Sequence, residues 1–147
     1  MPYEAGIQQT MEEDQLQLTP EEILKDMRAL VVDDNEIIRK LVKNMLKMCV
    51  CQEAENGLEA VKKCESNSFD FVIMDVIMPV MSGIDATRIL RKEKGFKVPI
   101  IALTGNSLQD EISGLIEVGA NKVLLKPIKK GELLAEISET LLANNKM

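Results

Sequence analysis

The sequence contains no histidine and no tryptophan, and only one of its 147 residues is a tyrosine. Without histidine, the chain has no imidazole for general base catalysis, for metal binding or for carrying a phosphoryl group itself. The low aromatic content, 3% of the residues, argues against recognition of nucleic acids by base stacking. These absences exclude histidine-dependent enzymes and most base-stacking proteins.

Long apolar runs are missing too, since none approaches the roughly 20 residues that a membrane-spanning helix needs. Residues 1–9 lack the positive start and apolar stretch of a secretory signal peptide. The three cysteines, Cys49, Cys51 and Cys64, form no C-x-x-C pair, which is typical of free thiols in a reducing compartment. We therefore expect a protein without membrane insertion that is cytoplasmic or, in a eukaryote, nuclear.

The net charge of −6 is concentrated in one segment. Residues 1–26 contain seven acidic side chains and one lysine, whereas residues 27–147 contain 17 side chains of each sign. We predict an acidic N-terminal tail over 1–26, disordered through residue 18, with a short helix over 20–26 that Thr19 caps and Pro20 begins. A folded domain over 27–143 and a C-terminal tail over 144–147 complete the predicted organisation.

From Met27 onward, short apolar runs alternate with amphipathic stretches. Unbroken apolar runs are typical of strands buried on both faces of a parallel sheet. Four such runs occupy 29–32, 71–74, 100–103 and 123–125, and a more polar fifth candidate, 49–54, suits a sheet edge. The resulting order, βαβαβαβαβα, predicts an α/β fold: a doubly wound, five-stranded parallel sheet with helices on both faces.

A polar or charged residue follows each of the four buried runs. Asp33 and Asp34 follow the first run, Asp75 the second, Thr104 the third and Lys126 the last. The carboxyl ends of parallel strands meet at one edge of the sheet, where such folds bind ligands, so we expect these side chains to converge.

Carboxylates gathered at one edge repel one another and require a cation. Carboxylate oxygens, a backbone carbonyl and water are the ligands that suit Mg²⁺, which also accepts phosphate oxygens. In such a site Asp75 is a candidate nucleophile toward a phosphoryl group, forming an aspartyl phosphate. Thr104 and Lys126 would stabilise the phosphoryl oxygens, and Gly105 would leave room for the group to approach.

Four segments at these strand ends resemble the motifs of the receiver domain of two-component response regulators: Val31–Asn35, Met74–Gly83, Ala102–Asn106 and Lys126–Pro127. The second segment, MDVIMPVMSG, is most similar to receivers of hybrid histidine kinases and their stand-alone relatives. The resemblance runs from about 27 to 142. It implies a flavodoxin-like sheet of strand order 2-1-3-4-5 and a cis peptide bond before Pro127.

The resemblance also implies a function in a phosphorelay. Asp75 would accept a phosphoryl group from a phosphohistidine on a histidine kinase or a histidine phosphotransfer protein, with Thr104 and Lys126 assisting. Asp34, Asp75 and the backbone carbonyl of Ile77 would bind Mg²⁺, and Asp33 would act partly through water. The chain would then be a signalling phosphoacceptor that assists its own phosphorylation and dephosphorylation, not an enzyme in the usual sense. We expect a monomer that contacts no nucleic acid directly.

Two positions depart from the family's usual pattern. Val123 stands three residues before Lys126, where receivers usually carry Tyr or Phe, so an aromatic flip cannot report the state of the site. We expect a switch that uses the loop after Thr104 and the helix that follows it. Ile77 stands two residues after Asp75, where a polar residue is common, and our hypothesis is that it slows hydrolysis by excluding water.

The helix after the acidic pair offers a candidate docking surface. Ile37 and Ile38 lie in its first turn, and an exposed apolar residue there would suit docking of a phosphotransfer helix. The alternative, with both side chains in the core, fits the pattern equally well.

Single residues argue against three alternative functions: a degenerate receiver, a phosphatase and a nucleotide-binding protein. A degenerate receiver, acting as an interaction module without phosphorylation, is disfavoured because Asp75, Thr104 and Lys126 are all present. A haloacid dehalogenase-type phosphatase needs a second Asp where Ile77 stands, and the glycines form no nucleotide-binding motif. The residues after 142 are too few for an output domain, so we expect a stand-alone or an excised receiver.

Overall fold

The apolar runs of the sequence form the strands of one parallel sheet. The computed structural model describes residues 18–145, and in this range five strands alternate with six helices. The strands are β1 Arg28–Val32, β2 Val50–Ala54, β3 Phe71–Asp75, β4 Ile100–Thr104 and β5 Lys122–Leu125. The helices are α1 Pro20–Leu24, α2 Glu36–Met45, α3 Gly57–Ser66, α4 Gly83–Lys92, α5 Gln109–Glu117 and α6 Lys130–Asn145.

The strands are all parallel and lie in the order β2-β1-β3-β4-β5. The predicted doubly wound fold and its strand order are therefore confirmed. The polar candidate strand is at an edge, as expected, and its first residue Val50 is exposed, whereas every residue of β3 and β4 is buried. Asp75 is in register with Leu103, and Thr104 with Leu125, so the ends of β3, β4 and β5 meet at one edge.

Alternate residues of the strands point to opposite faces and form separate cores. One face packs against α1, α2 and α6, through buried residues that include Leu24, Val42 and Leu133. The other face packs against α3 and α4, through residues that include Ala60 and Leu90. This two-sided cover leaves the carboxyl edge of the sheet open to solvent.

The N-terminal helix differs from its prediction in length and in its packing. Thr19 caps it as expected, because its side chain accepts a hydrogen bond from the Glu22 amide at 3.2 Å. It ends at Leu24 instead of 26, because Lys25 leaves the helical conformation with a ψ of 129° and Asp26 then adopts a left-handed φ of 63°. Leu24 is fully buried in the core, so α1 packs against the domain.

The predicted tails lie largely outside the described residues. The disorder expected through residue 18 concerns residues 1–17, which the structure does not describe. At the other end, α6 continues to Asn145, past the predicted boundary at 143. No Gly or Pro interrupts the helical sequence there.

Candidate functional site

The turn between β1 and α2 places the two acidic residues differently. The Asp33 amide donates to the Ala54 carbonyl at 3.1 Å, which continues the sheet one residue beyond β1. Asn35 then caps α2 with its side chain, and its own amide donates to Asp33 Oδ1 at 2.9 Å. Asp33 is consequently buried, whereas Asp34 is exposed at the mouth of the site.

Arg39 fixes this turn from below, a role that the sequence analysis missed. Its Nη1 donates to the Asp33 carbonyl at 2.8 Å, and its Nε donates to Glu53 Oε1 at 2.9 Å. Hydrogen bonds from Lys43 and Arg39 lower the pKa of Glu53, which keeps this buried arginine paired with a charged carboxylate. The signal that could have revealed Arg39 is its spacing from Val42, which puts a cation on the buried face of α2.

Asp75 is the last residue of β3, and a tightly packed loop follows it. The Gly83 amide donates to the Val76 carbonyl at 2.8 Å, which closes this loop against the strand. A Cβ on Gly83 would lie 2.1 Å from the Asp75 carbonyl oxygen, so only glycine fits at this approach. The backbone of the candidate nucleophile is therefore held in place by the start of α4.

The three aspartates converge as predicted. Asp33, Asp34 and Asp75 each direct a carboxylate oxygen into a group whose members all lie within 4.8 Å of one another. Lys126 Nζ lies 2.8 Å from Asp75 Oδ1 and 3.5 Å from Asp33 Oδ2. Lys126 and Asp33 thus form an ion pair, but their separation is too long for a good hydrogen bond. Asp33 Oδ2 is buried without a hydrogen-bond partner.

Burial and neighbouring charges shift the pKa values of Asp75 and Lys126. Burial, followed by the charge of Asp33, raises the pKa of Asp75, although Lys126 opposes the shift. Burial alone would lower the pKa of Lys126, but its hydrogen bond to Asp75 and the charges of both aspartates raise it. The lysine is therefore held in its charged form, and its one ammonium group pairs with two of the three carboxylates.

These residues fit a small divalent cation. The negative charge of the carboxylate oxygens exceeds the positive charge beside them, and Asp33 Oδ2 is buried without a hydrogen-bond partner; a bound Mg²⁺ would satisfy both. The oxygens line a cleft of about 310 Å³, which Ile77 and Gly105 also line. A Cβ on Gly105 would meet no atom within 4 Å, so the cleft is open on that side. Ligation by the Ile77 carbonyl stays a prediction.

Thr104 completes the edge, but its hydroxyl has a partner that the sequence did not reveal. The Lys126 amide donates to the Thr104 carbonyl at 2.8 Å, which sets the two residues side by side. Thr104 Oγ1 donates to Glu111 Oε1 at 3.0 Å and accepts from the Asn106 amide at 3.0 Å. No feature of the sequence marks Glu111, which is one of several acidic residues on α5. The role of Thr104 toward a phosphoryl group stays a prediction.

The remaining predicted features lie around the cleft. Ile37 is 75% exposed, whereas Ile38 packs against the core, so the interpretation that placed both in the core is wrong. Val123 packs with Val76 beneath α5. The peptide bond between Lys126 and Pro127 is cis, as expected.

The fold and the site together define a class of protein. A parallel sheet of order 2-1-3-4-5, with three aspartates, a threonine and a lysine at its carboxyl edge, has the architecture of a receiver domain. The family model of the response regulator receiver domain matches residues 29–138, and the chain belongs to this family.

Known relatives come from several kinds of signalling protein. The chain is 36% identical over 115 residues to a hybrid signal transduction histidine kinase G of Dictyostelium discoideum, a match that takes in 74% of this chain and 3% of the kinase. It is 32% identical to the chemotaxis protein CheY-3 of Vibrio cholerae, covering 78% of this chain and 92% of that protein.

Solved structures agree with the fold. The receiver domain of the sensor histidine kinase PA1611 from Pseudomonas aeruginosa, which holds a magnesium ion in its active site cleft, is 34% identical with a TM-score of 0.72. The match covers 79% of this chain and 98% of that one. CheY4 of Vibrio cholerae is 31% identical with a TM-score of 0.74, and the match covers 78% of this chain and 98% of that one.

Membership of the family gives the general function. Receiver domains are signalling phosphoacceptors that bind Mg²⁺ at an acidic pocket and interact with histidine kinases or phosphotransfer proteins. Within residues 18–145, every helix is too short or too polar to cross a membrane.

Proposed function

We propose that this chain accepts a phosphoryl group on Asp75 in a His-to-Asp phosphorelay. The observation that carries the proposal is the pairing of a buried aspartate with a charged lysine at 2.8 Å, beside a buried carboxylate oxygen that has no hydrogen-bond partner. These side chains line one open cleft, which supports a nucleophilic role for Asp75 beside a bound cation.

The proposed reaction begins when an Asp75 carboxylate oxygen attacks the phosphorus of a phosphohistidine. A new O–P bond forms as the P–N bond breaks, and the electron pair of that bond stays on the imidazole, which takes a proton from solvent. The product is an aspartyl phosphate on this chain and a neutral histidine on the donor. Because residues 1–147 contain no histidine, the donor lies outside this sequence, either as a phosphohistidine or as a small phosphate anhydride such as acetyl phosphate.

The surrounding residues stabilise the negative charge on the phosphoryl oxygens. Lys126 is held charged next to Asp75 and supplies one cation, and Thr104 supplies a hydroxyl donor. Asp33, Asp34, Asp75 and the Ile77 carbonyl would hold Mg²⁺. The ion, when bound, neutralises the phosphoryl oxygens and orients the group.

The partner surface is proposed to lie on α2, next to the cleft. Ile37 and Leu41 are 75% and 47% exposed and lie four residues apart, so they form one apolar stripe on a helix that begins at the acidic turn. A helix of a histidine phosphotransfer protein or kinase can pack there and bring its phosphohistidine to Asp75. We further propose that the protein is a cytoplasmic, or in a eukaryote nuclear, monomer without direct nucleic-acid contacts.

The direct test is phosphorylation followed by mass spectrometry of the intact protein. With acetyl phosphate and Mg²⁺ we expect a gain of about 80 Da, the mass of one phosphoryl group, which EDTA abolishes. Asp75→Asn should abolish the gain, whereas Asp85→Asn, at an exposed position on α4, should preserve it. A mass gain that persists in Asp75→Asn would contradict the assignment of the acceptor.

The competing function is a degenerate receiver that signals through binding alone. It predicts no mass gain with acetyl phosphate or with any phosphohistidine donor, even when Mg²⁺ is present. An unmodified wild-type protein under all of these conditions, with a cooperative unfolding transition as evidence that it is folded, would favour this alternative.

A further inference from the structure

We propose that Glu111 is a positioning residue that withholds the Thr104 hydroxyl from the phosphoryl site until the phosphoryl group arrives. The inference rests on the proposed function and concerns its regulation. Its basis is the hydrogen bond from Thr104 Oγ1 to Glu111 Oε1, at 3.0 Å.

A hydroxyl group has a single proton to donate. Thr104 can donate one hydrogen bond, and it donates that bond to a carboxylate on α5, while the Asn106 amide occupies an acceptor position of the same oxygen. A phosphoryl oxygen is an acceptor and needs this same proton. The two bonds are therefore mutually exclusive, and the group must displace Glu111 before Thr104 can stabilise it.

The charge of Glu111 adds to this competition. Among the described residues no lysine or arginine forms an ion pair with Glu111, so its negative charge is not neutralised locally. A hydrogen bond to a carboxylate is about twice as strong as one between neutral groups. Displacing Glu111 from the Thr104 hydroxyl therefore costs more free energy than displacing a neutral acceptor would.

The same hydrogen bond ties α5 to the sheet. Leu115 is the one buried residue of α5, and its N-cap residue Leu108 makes no side-chain capping bond. Thr104 is the end of β4, so the bond to Glu111 anchors the first turn of the helix directly to the site. Breaking it when a phosphoryl group binds would free the start of α5, which supplies a readout in a protein with Val123 at the usual aromatic position. Coupling is reciprocal: if the hydrogen bond between Thr104 and Glu111 opposes binding of the phosphoryl group, then binding of the phosphoryl group must weaken that hydrogen bond.

The test measures the affinity for beryllium fluoride, a phosphoryl analogue, in the presence of Mg²⁺ by titration calorimetry. Glu111→Ala should bind it about threefold to tenfold more tightly than the wild type, the range expected for loss of a partly solvated, charge-assisted competitor. Glu111→Gln keeps an acceptor oxygen without the charge and should fall between them. Asp110→Asn removes a charge from the same turn of α5 and should leave the affinity within twofold.

A double-mutant cycle separates the proposed contact from a general effect on the fold. In a Thr104→Val background the hydroxyl is gone, and Glu111→Ala should then give no gain in affinity. Hydrogen exchange of residues 109–117 should accelerate on binding in the wild type and should already be fast, and change little, in Glu111→Ala.

The outcomes distinguish this inference from the function on which it rests. Equal affinity in wild type, Glu111→Ala and Asp110→Asn overturns the inference and leaves the phosphoacceptor function standing. A gain that persists in the Thr104→Val background also overturns it, because Glu111 would then act by another route. Failure of every folded variant to bind beryllium fluoride overturns both proposals.

Discussion

Replacing the candidate nucleophile should make the metal-free protein more stable. In Asp75→Asn the amide keeps an oxygen that can accept from Lys126, but it removes one of three clustered negative charges. A substitution in a buried site usually costs stability, so a gain here is a sharp expectation.

The magnitude follows from opposing electrostatic contributions. Two unit charges 4.8 Å apart, the upper limit within the trio, repel by about 3.5 kcal/mol at an effective dielectric constant of 20, and relief from Asp33, the aspartate whose charge raises the pKa of Asp75, is worth about that much. The charge–charge attraction of Lys126 at 2.8 Å is about 6 kcal/mol on the same scale, and the variant loses this attraction while keeping a neutral acceptor for the lysine. The balance of these two charges favours the carboxylate, but its burial, the largest cause of its raised pKa, outweighs them and decides the sign. We expect a gain on the order of 1–2 kcal/mol, or about 4–8 °C in melting temperature.

The pH dependence gives the gain its signature. Because the pKa of Asp75 is raised above 3.8, its charged form weakens the folded state at neutral pH, and this cost disappears as pH falls below the unfolded value. The difference between variant and wild type should thus be small near pH 3.5, should grow as pH rises through the raised pKa, and should be complete at pH 7.

Thermal unfolding followed by circular dichroism, in EDTA and across this pH range, measures the effect. Asp34→Asn is the matched control, since its carboxylate belongs to the same trio but is exposed, and it should gain less. Added Mg²⁺ should stabilise the wild type more than Asp75→Asn and so narrow the gap. An Asp75→Asn protein that is less stable than wild type at pH 7 in EDTA, or a gap independent of pH, would refute the reasoning.

Two further predictions concern the loop that follows β3. Ile77→Gln should shorten the lifetime of the aspartyl phosphate by admitting water, and the decay of the phosphorylated mass measures this lifetime. Val80→Gln, at a position that is equally 76% exposed, should leave the lifetime unchanged. An unchanged lifetime in Ile77→Gln would disprove the hypothesis. Gly83→Ala should destabilise the fold by roughly 1–3 kcal/mol in urea unfolding, because its Cβ would lie 2.1 Å from the Asp75 carbonyl oxygen. Gly114→Ala, where a Cβ meets no atom within 4 Å, should instead be neutral or stabilising, and equal losses at the two glycines would contradict the packing argument.

The sheet and the acidic cluster could be predicted from the sequence because both follow from periodicity. Apolar runs that do not alternate identify the inner strands, and the position just after each run fixes which side chains meet at the carboxyl edge. Asp33, Asp75 and Lys126 converge for this reason alone. The edge position of β2 follows from the same logic, since its polar residues cannot be buried on both faces.

The parts that escaped prediction depend on tertiary contacts across distant segments. The short helix α1 was interpreted as belonging to the tail because its sequence is acidic, yet a single apolar residue, Leu24, suffices to bury its inner face. The spacing of Arg39 from Val42 places it on the buried face of α2, but only the folded chain brings it to the Asp33 carbonyl. Composition and spacing carry little information on such contacts.

Glu111 illustrates most directly what sequence patterns omit. A motif records residues at strand ends, and those residues explain what binds in the cleft, but the resting state also depends on which partner each polar group has before the ligand arrives. Here the buried Thr104 hydroxyl donates its one proton to the Glu111 carboxylate, seven residues away in the sequence. Glu111 lies on α5, whose one buried residue is Leu115. If that bond must break for the phosphoryl group to be stabilised, the energy of binding is coupled to the position of α5 without any aromatic side chain. A receiver with valine three residues before its lysine can then still change the shape of its α5 surface. Variants of Glu111 measure the coupling between phosphoryl binding and the position of α5.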